Sequence, residues 1–155
     1  MPGSYPDNWK EIATAVKDEA GWCCIRCGVE HDRDTRTGNC LTVHHLIDQK
    51  DLVAWWNLTA LCQRCHLHIQ AKVQMDRIWM FHHTEWFVPY VAGYYASAFG
   101  LPQDRLFVNR FADELIYLGQ GRLTLDELLA HVEATSATYR QRADDALTEH
   151  RMSLP

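Results

Sequence analysis

The residues best suited to chemistry lie between positions 40 and 66, in the segment CLTVHHLIDQKDLVAWWNLTALCQRCH. Histidines and cysteines at this density indicate a metal-centred site. The adjacent His44 and His45 follow Leu41-Thr42-Val43, a short apolar run that alternates and is β-branched, as strands often are. Successive side chains on a strand point to opposite faces, so the two histidines cannot easily do the same job. An isolated pair is more often structural than catalytic, so its surroundings decide.

Four of the six cysteines form two C-x-x-C pairs without a secretion signal, which favours metal ligands over disulfides. These are Cys24, Cys27, Cys62 and Cys65. Four thiolates on two such turns suit a closed, tetrahedral, structural Zn²⁺ site. Four buried free thiols and a redox pair are the weaker alternatives. Cys23 and Cys40 are left over, and the long span between the pairs must hold other structure, including the histidine strand.

Length and composition predict one domain, or one small domain with an appendage, because the chain has 155 residues and is 47% hydrophobic. No apolar run approaches about 18 residues, so we expect no membrane span. The first residues lack the pattern of a signal peptide, so we expect a cytoplasmic protein. The net charge of −5 argues mildly against a protein that binds nucleic acid over a large surface.

The pattern of apolar residues and caps predicts the order of the elements. We expect a helix from Asp7-Asn8 to about Glu19, a tight turn over 22–28, and strands over 41–46 and near 58–61. A helix then begins at the second cysteine pair and runs through Val73 towards Trp79. In the second half we expect one helix over 104–118 and a last helix from the Thr124 capping box to about His150.

The run VHHL followed by WNLTALCQRCH resembles the HNH endonucleases, also called ββα-metal or His-Me finger nucleases. The flanking cysteine pairs are similar to the zinc-stapled branch of that family, and the stretch ALCQRCHLHIQ looks like HNH proteins of phages and mobile elements. The resemblance covers about residues 22–75 and implies metal-dependent hydrolysis of DNA phosphodiester bonds, leaving 5′-phosphate and 3′-hydroxyl ends.

The resemblance also implies a role for each residue of the motif. His45 matches the general base that takes a proton from water, and Asn57 matches the residue that orients it through the loop. His44 and His66 match the ligands of a catalytic cation such as Mg²⁺ or Mn²⁺, which would leave positions open for phosphate and water. Gln70 stands where related proteins often have a further histidine, which puts a third protein ligand in doubt.

Several charged residues near the motif are candidates for contact with nucleic acid, and each is equally expected to be an ordinary solvated charge. They are Arg64, Lys72 and Arg77. His68 faces away from His66 on a helix, so we assign it no role. Asp48 is expected on the loop surface. The pair His82-His83 and the aromatic segment 79–99 are expected to be structural.

We therefore expect an α+β protein with a zinc-stapled ββα-metal core over residues 1–78 and a helical region over 79–155. DNA is the expected substrate. The C-terminal helices are expected to complete the core, form a homodimer or bind a partner protein, and not to contact DNA or membrane. If a phage encodes the chain, its place is the host cytoplasm. The alternative is a zinc-folded nucleic-acid-binding module, or a phage accessory or inhibitor protein acting through its helical half, with little or no activity.

Overall fold

The computed structural model of the chain describes residues 3–70, 72, 73, 75 and 85–155. Over these residues the fold is mixed, with seven α-helices and one two-stranded antiparallel sheet, which confirms the predicted α+β class. The strands are β1 Leu41–His45 and β2 Leu58–Cys62. The helices are α1 Trp9–Glu19, α2 Gln63–Ile69, α3 Val88–Phe99, α4 Arg105–Arg110, α5 Ala112–Gly119, α6 Leu125–Thr135 and α7 Ala137–Ser153. The chain divides into two compact units, Met1–Trp86 and Phe87–Pro155.

In the first unit, β1 and β2 form a hairpin in which Leu41 pairs with Cys62 and His45 pairs with Leu58. Every residue of β2 is buried, whereas β1 is only partly covered beyond Leu41. This register brings the end of β1, with its two histidines, next to the start of β2. It also brings the start of β1 beside the second cysteine pair.

Helix α1 matches the prediction closely and ends at Glu19. Two residues with left-handed backbone conformation follow shortly after it, Gly21 at φ 62° and Trp22 at φ 55°. Their backbone N–H groups donate to the carbonyls of Asp18 and Lys17 at 2.9 Å each, which satisfies acceptors that the last helical turn leaves open. The chain then reverses directly into the first cysteine pair.

Helix α2 is shorter than predicted. It begins at Gln63, directly after Cys62, whose side chain caps it by accepting a hydrogen bond from the backbone of Cys65. It ends at Ile69 because Gln70 leaves the helical region, at φ −52° and ψ 130°. The expected continuation through Val73 is therefore wrong, and Trp79 lies outside the described residues.

The second unit has five helices, and each of the two long helices predicted there is in fact two. The first breaks at Phe111, where φ is −119°, and the second breaks at Ser136, whose side chain starts α7 by accepting from the backbone of Tyr139. The capping box of Thr124 and Glu127 is formed as predicted.

The apolar faces of the second unit bury side chains within it, where α3 packs on α5 and α6 packs on α7. The largest buried side chains include Phe107, Phe111, Leu115, Leu128 and Val132. Leu106 of α4, by contrast, is 73% exposed. None of the described helices has the length and apolarity needed to cross a membrane.

Candidate active site and metal centre

The two C-x-x-C pairs come together, as the sequence predicts. The four Sγ atoms all lie within 4.8 Å of one another, and those of Cys27 and Cys62 are 3.8 Å apart. A tetrahedral site with Zn–S bonds of about 2.3 Å has sulfur–sulfur edges of about 3.8 Å, so this geometry suits a structural metal such as zinc. All four are free thiols, and all but Cys27 are buried.

Hydrogen-bond donors lie against two of the four sulfurs, whereas burial raises the pKa of the Cys27 thiol and, to about 12, that of the Cys65 thiol. Nη1 of Arg26 donates to Sγ of Cys65 at 3.4 Å, and the backbone N–H of Cys65 donates to Sγ of Cys62 at 3.5 Å. Burial alone raises the pKa of the Cys24 thiol, but hydrogen bonds from nearby backbone amides outweigh it and lower the pKa to about 7. The geometry of the four thiols therefore fits Zn²⁺, and a bound cation would favour the thiolates that burial disfavours.

The cluster joins the first cysteine turn to the hairpin and to α2. Buried around it are Leu41, Ala60, Leu61 and Ile69, and Val16 and Ala20 of α1 pack against this group. Among the described residues, the cysteines are the only group of three or more potential ligands close enough to hold a metal ion. Any second cation in this part of the chain therefore has at most two such ligands in reach.

The rings of His44 and His66 lie next to each other. Their ring centroids lie 4.6 Å apart in an edge-to-face arrangement, which joins the end of β1 to α2. Burial, and then the nearby His66, lower the pKa of His44 to about 4, and burial also lowers the pKa of His66. Both imidazoles are therefore neutral at pH 7, which is the form that ligates a metal ion.

His45 points to a different environment, as the alternation of the strand predicts. Its ring stacks on that of Trp9 at a centroid distance of 5.0 Å, and Tyr5 lies 5.8 Å away. Burial lowers its pKa, and a hydrogen bond with the backbone of Lys50 opposes the shift. Nε2 of His45 is buried and has no hydrogen-bond partner among the described groups.

The Lys50 contact indicates which ring nitrogen of His45 carries the proton. A backbone group raises a histidine pKa when its carbonyl accepts from the ring, because that bond favours a protonated nitrogen. Since Nε2 has no partner, the bond assigns the proton to Nδ1. The lone pair of the neutral ring is then on Nε2, where it can accept a proton.

Asn57 is fully buried and its side chain fixes the loop between the strands. Its Oδ1 accepts from the backbone of Ile47 at 2.6 Å, and its Nδ2 donates to the carbonyl of Leu52 at 3.0 Å. The backbone carbonyl of Asn57 accepts a hydrogen bond from the backbone N–H of Leu46 at 2.9 Å. One amide therefore holds both ends of the segment that carries Lys50.

The three histidines open on one cavity of about 490 Å³. Its lining residues are Tyr5, Val43, His44, His45, Leu46, Ile47, Asp48, Lys50, His66, Gln70 and Val73. Asp48 is exposed, as expected for a loop residue, but it also lines this cavity. Among the described residues of the lining, Lys50 is the one lysine or arginine, and its Nζ lies 5.0 Å from the ring centroid of Tyr5.

Two of the candidate nucleic-acid contacts, Arg64 and Lys72, are described, and neither lines this cavity. Arg64 donates from Nη2 to Oδ1 of Asn39 at 2.6 Å, which ties it to the loop before β1. Lys72 is exposed and is not part of the lining. Arg77, the pair His82-His83 and part of the aromatic segment lie outside the described residues. His68 is exposed and outside the lining.

Sequence reasoning missed Tyr5, Trp9 and Lys50. Trp9 has the spacing of an ordinary apolar position on α1, and Tyr5 precedes the helix without a motif. Lys50 lies in a polar loop whose path depends on the buried Asn57. The sequence carries no local signal for any of the three, because only tertiary folding places them beside His45.

Comparison with known proteins gives a partial match in sequence. No family model matches the chain, and no solved structure matches it. Over 62 residues the chain is 36% identical to Zorya protein ZorE from Escherichia coli, a stretch that covers 40% of this chain and 16% of that protein. The chain is thus similar to a small part of a much longer relative.

Proposed function

We propose that the chain is a metal-dependent endonuclease of the HNH type that hydrolyses DNA phosphodiester bonds. One observation carries the proposal: His45, whose buried Nε2 has no hydrogen-bond partner among the described groups, lines the same cavity as the His44–His66 pair. A proton acceptor and a pair of neutral histidine ligands at one cavity are what hydrolysis of a phosphodiester needs.

His45 acts on the water. The Lys50 backbone bonds to the ring and leaves the Nε2 lone pair without a described partner, and Nε2 takes a proton as the water oxygen attacks phosphorus. The bond between phosphorus and the 3′ oxygen breaks, so the phosphate stays on the 5′ oxygen, and the departing 3′ oxygen takes a proton from solvent water to become a hydroxyl. Stacking on Trp9 restricts the imidazole to this orientation.

His44 and His66 are the residues that would hold the catalytic cation. Both are neutral at pH 7, and their rings are adjacent. A divalent cation such as Mg²⁺ or Mn²⁺ supplies stabilisation of the negative charge on the phosphate and the leaving oxygen. Lys50, the cation in the cavity lining, is placed to attract the same phosphate.

A second candidate is a zinc-folded nucleic-acid-binding or accessory protein with little activity. The net charge of −5 and the single lysine in the cavity lining favour it, because affinity for duplex DNA depends largely on cationic side chains. The two candidates differ in whether DNA is cut, so one assay separates them.

The test is cleavage of supercoiled plasmid by the full chain with Mg²⁺, Mn²⁺ or Ni²⁺. His45→Ala should lower the rate by about 10²–10⁴-fold, since a positioned base contributes that much. It should still bind Mn²⁺ in a calorimetric titration, whereas His44→Ala and His66→Ala should bind it weakly. His68→Ala is the matched control on α2 and should behave as the parent protein does.

Two results would count against the proposal. If the parent protein cuts no DNA with any of the three cations, the binding-module candidate replaces it. If His45→Ala loses Mn²⁺ binding while His44→Ala keeps it, the roles of base and ligand are reversed within the pair.

A further inference from the structure

The hydroxyl of Thr42 lies between a backbone carbonyl and the ring of His66. Thr42 is on β1 two residues before His44, so the two side chains share a face of the strand. Oγ1 of Thr42 is 3.1 Å from the carbonyl oxygen of Leu61, its partner across the hairpin, and 2.8 Å from Nδ1 of His66. Both distances are those of hydrogen bonds.

The directions of these two bonds follow from proton counting. A carbonyl oxygen can only accept, so the single proton of the Thr42 hydroxyl goes to Leu61. The hydroxyl oxygen can then only accept from His66, which requires a proton on Nδ1. A neutral imidazole with its proton on Nδ1 has its lone pair on Nε2.

We propose that Thr42 is a positioning residue that holds His66 in the Nδ1–H tautomer and thereby presents Nε2 as the metal-binding atom. The ligand role of His66 rests on the function proposed above, but the tautomer does not. A metal-binding histidine usually donates its other ring N–H to a carboxylate, a backbone carbonyl or water, which fixes the ring and its tautomer. Here a threonine hydroxyl, itself anchored to the hairpin, takes that place.

The arrangement couples the hairpin to α2. The Leu61 carbonyl belongs to β2, Thr42 to β1 and His66 to α2, so the chain of two bonds crosses all three elements. The orientation of His66 is therefore set by the register of the strands, and α2 does not fix it alone. The His66 ring also lies against His44 at 4.6 Å, so the same hydroxyl positions one member of the ligand pair relative to the other.

The experiment reads the tautomer directly. Protein with ¹⁵N-labelled histidine, carrying only its structural zinc, is studied by long-range ¹H–¹⁵N correlation spectroscopy near pH 7.5, with His66→Gln used for assignment. The parent protein and Thr42→Ser should show His66 protonated on Nδ1. Thr42→Val, which keeps the size and β-branching but lacks the hydroxyl, should shift His66 towards the Nε2–H form. Mn²⁺ affinity in a calorimetric titration should fall about 10–100-fold in Thr42→Val and be retained in Thr42→Ser.

Thr59→Val is the matched control for removing a threonine hydroxyl from this hairpin. Thr59 is opposite His44 and fully buried, and its Oγ1 has no hydrogen-bond partner within the described part of the chain. This variant should leave the His66 tautomer unchanged. Zinc content and near-ultraviolet circular dichroism of every variant establish that the fold is retained.

Either of two results overturns the inference: a parent protein whose His66 is protonated on Nε2, or a folded Thr42→Val protein with unchanged tautomer and unchanged Mn²⁺ affinity. A parent protein that binds no Mn²⁺ overturns the proposed function and the ligand role of His66. The tautomer spectra, recorded without the catalytic cation or DNA, still decide the role of Thr42 in that case.

Discussion

The three histidines at the cavity have the same side chain, but each imidazole ring has different neighbours. His44 and His66 lie ring to ring, whereas His45 stacks on Trp9 and bonds to the backbone of Lys50. The alternation of a strand predicts that neighbouring histidines differ in environment, and the structure agrees. The partners themselves, Trp9 and Lys50, were not predictable, because they come from a helix and a loop that only tertiary packing brings together.

A pH prediction follows for His44. Its pKa in the folded chain is about 4, chiefly through burial, against an ordinary value of 6.5. Between these values the unfolded chain binds a proton that the folded chain does not, so the free energy of unfolding falls as the pH drops from 6.5 towards 4. The contribution is fully present above 6.5. Urea denaturation between pH 7.5 and 5 should show a steeper loss of stability in the parent protein than in His44→Gln.

The comparison of the two proteins isolates this group. Protonation of groups away from this pair affects both proteins alike, so the difference between the two pH slopes reports His44 together with its interaction with His66 and His45. Equal slopes would mean that the fold does not hold His44 neutral. His44 would then not be the pre-formed neutral ligand that we propose.

At the scale of elements, caps were predictable and breaks were not. Thr124 and Glu127 form their capping box because the signal is local, and Gly28 adopts the positive φ expected of the turn after the first cysteine pair. Phe111 and Ser136 interrupt helices whose apolar periodicity runs on across them. Ser136 has a recognisable cap in hindsight, whereas Phe111 carries no breaking signal, so its position reflects packing within the second unit.

The four-cysteine cluster joins the first cysteine turn to the hairpin and to α2, and a two-stranded hairpin is too small to hold these elements together by itself. This leads to a prediction about zinc binding by the cluster. Structural zinc in small peptides contributes about 10 kcal/mol or more to folding. Cys62→Ser should therefore abolish zinc binding and unfold or aggregate the first unit, because Cys62 both caps α2 and lies in the sulfur cluster. Elemental analysis for zinc and circular dichroism measure the two effects.

Cys23→Ser and Cys40→Ser are the matched controls, since both residues are free thiols outside the cluster. Each should keep one zinc ion per chain and the parent stability. A Cys62→Ser protein that is folded, soluble and free of zinc would rule out a closed four-cysteine site as the support of this unit.

At the scale of the whole molecule, both units are acidic, and the cavity that we propose receives phosphate lies in the first unit. Residues 1–86 carry a net charge of −2 and residues 87–155 a net charge of −3. In the second unit, Arg140 and Arg142 form ion pairs with acidic residues of the same unit, which reduces the positive charge open to a ligand. We therefore expect DNA to be held near Lys50 and not by the helical unit.

The salt dependence of DNA binding tests this expectation in the full chain. Each phosphate neutralised by a cationic side chain contributes about 0.9 to the slope of log K against log salt concentration. In a His45→Ala background, which should not cut the DNA, Lys50→Gln should lower the magnitude of that slope by about 0.9. Arg151→Gln, which removes the same charge from an exposed position in the last turn of α7, should leave it unchanged. Fluorescence anisotropy of a labelled duplex between 50 and 200 mM salt measures both slopes. If Arg151→Gln lowers the slope and Lys50→Gln does not, the helical unit contacts phosphates, and the cavity beside His45 is not where DNA binds.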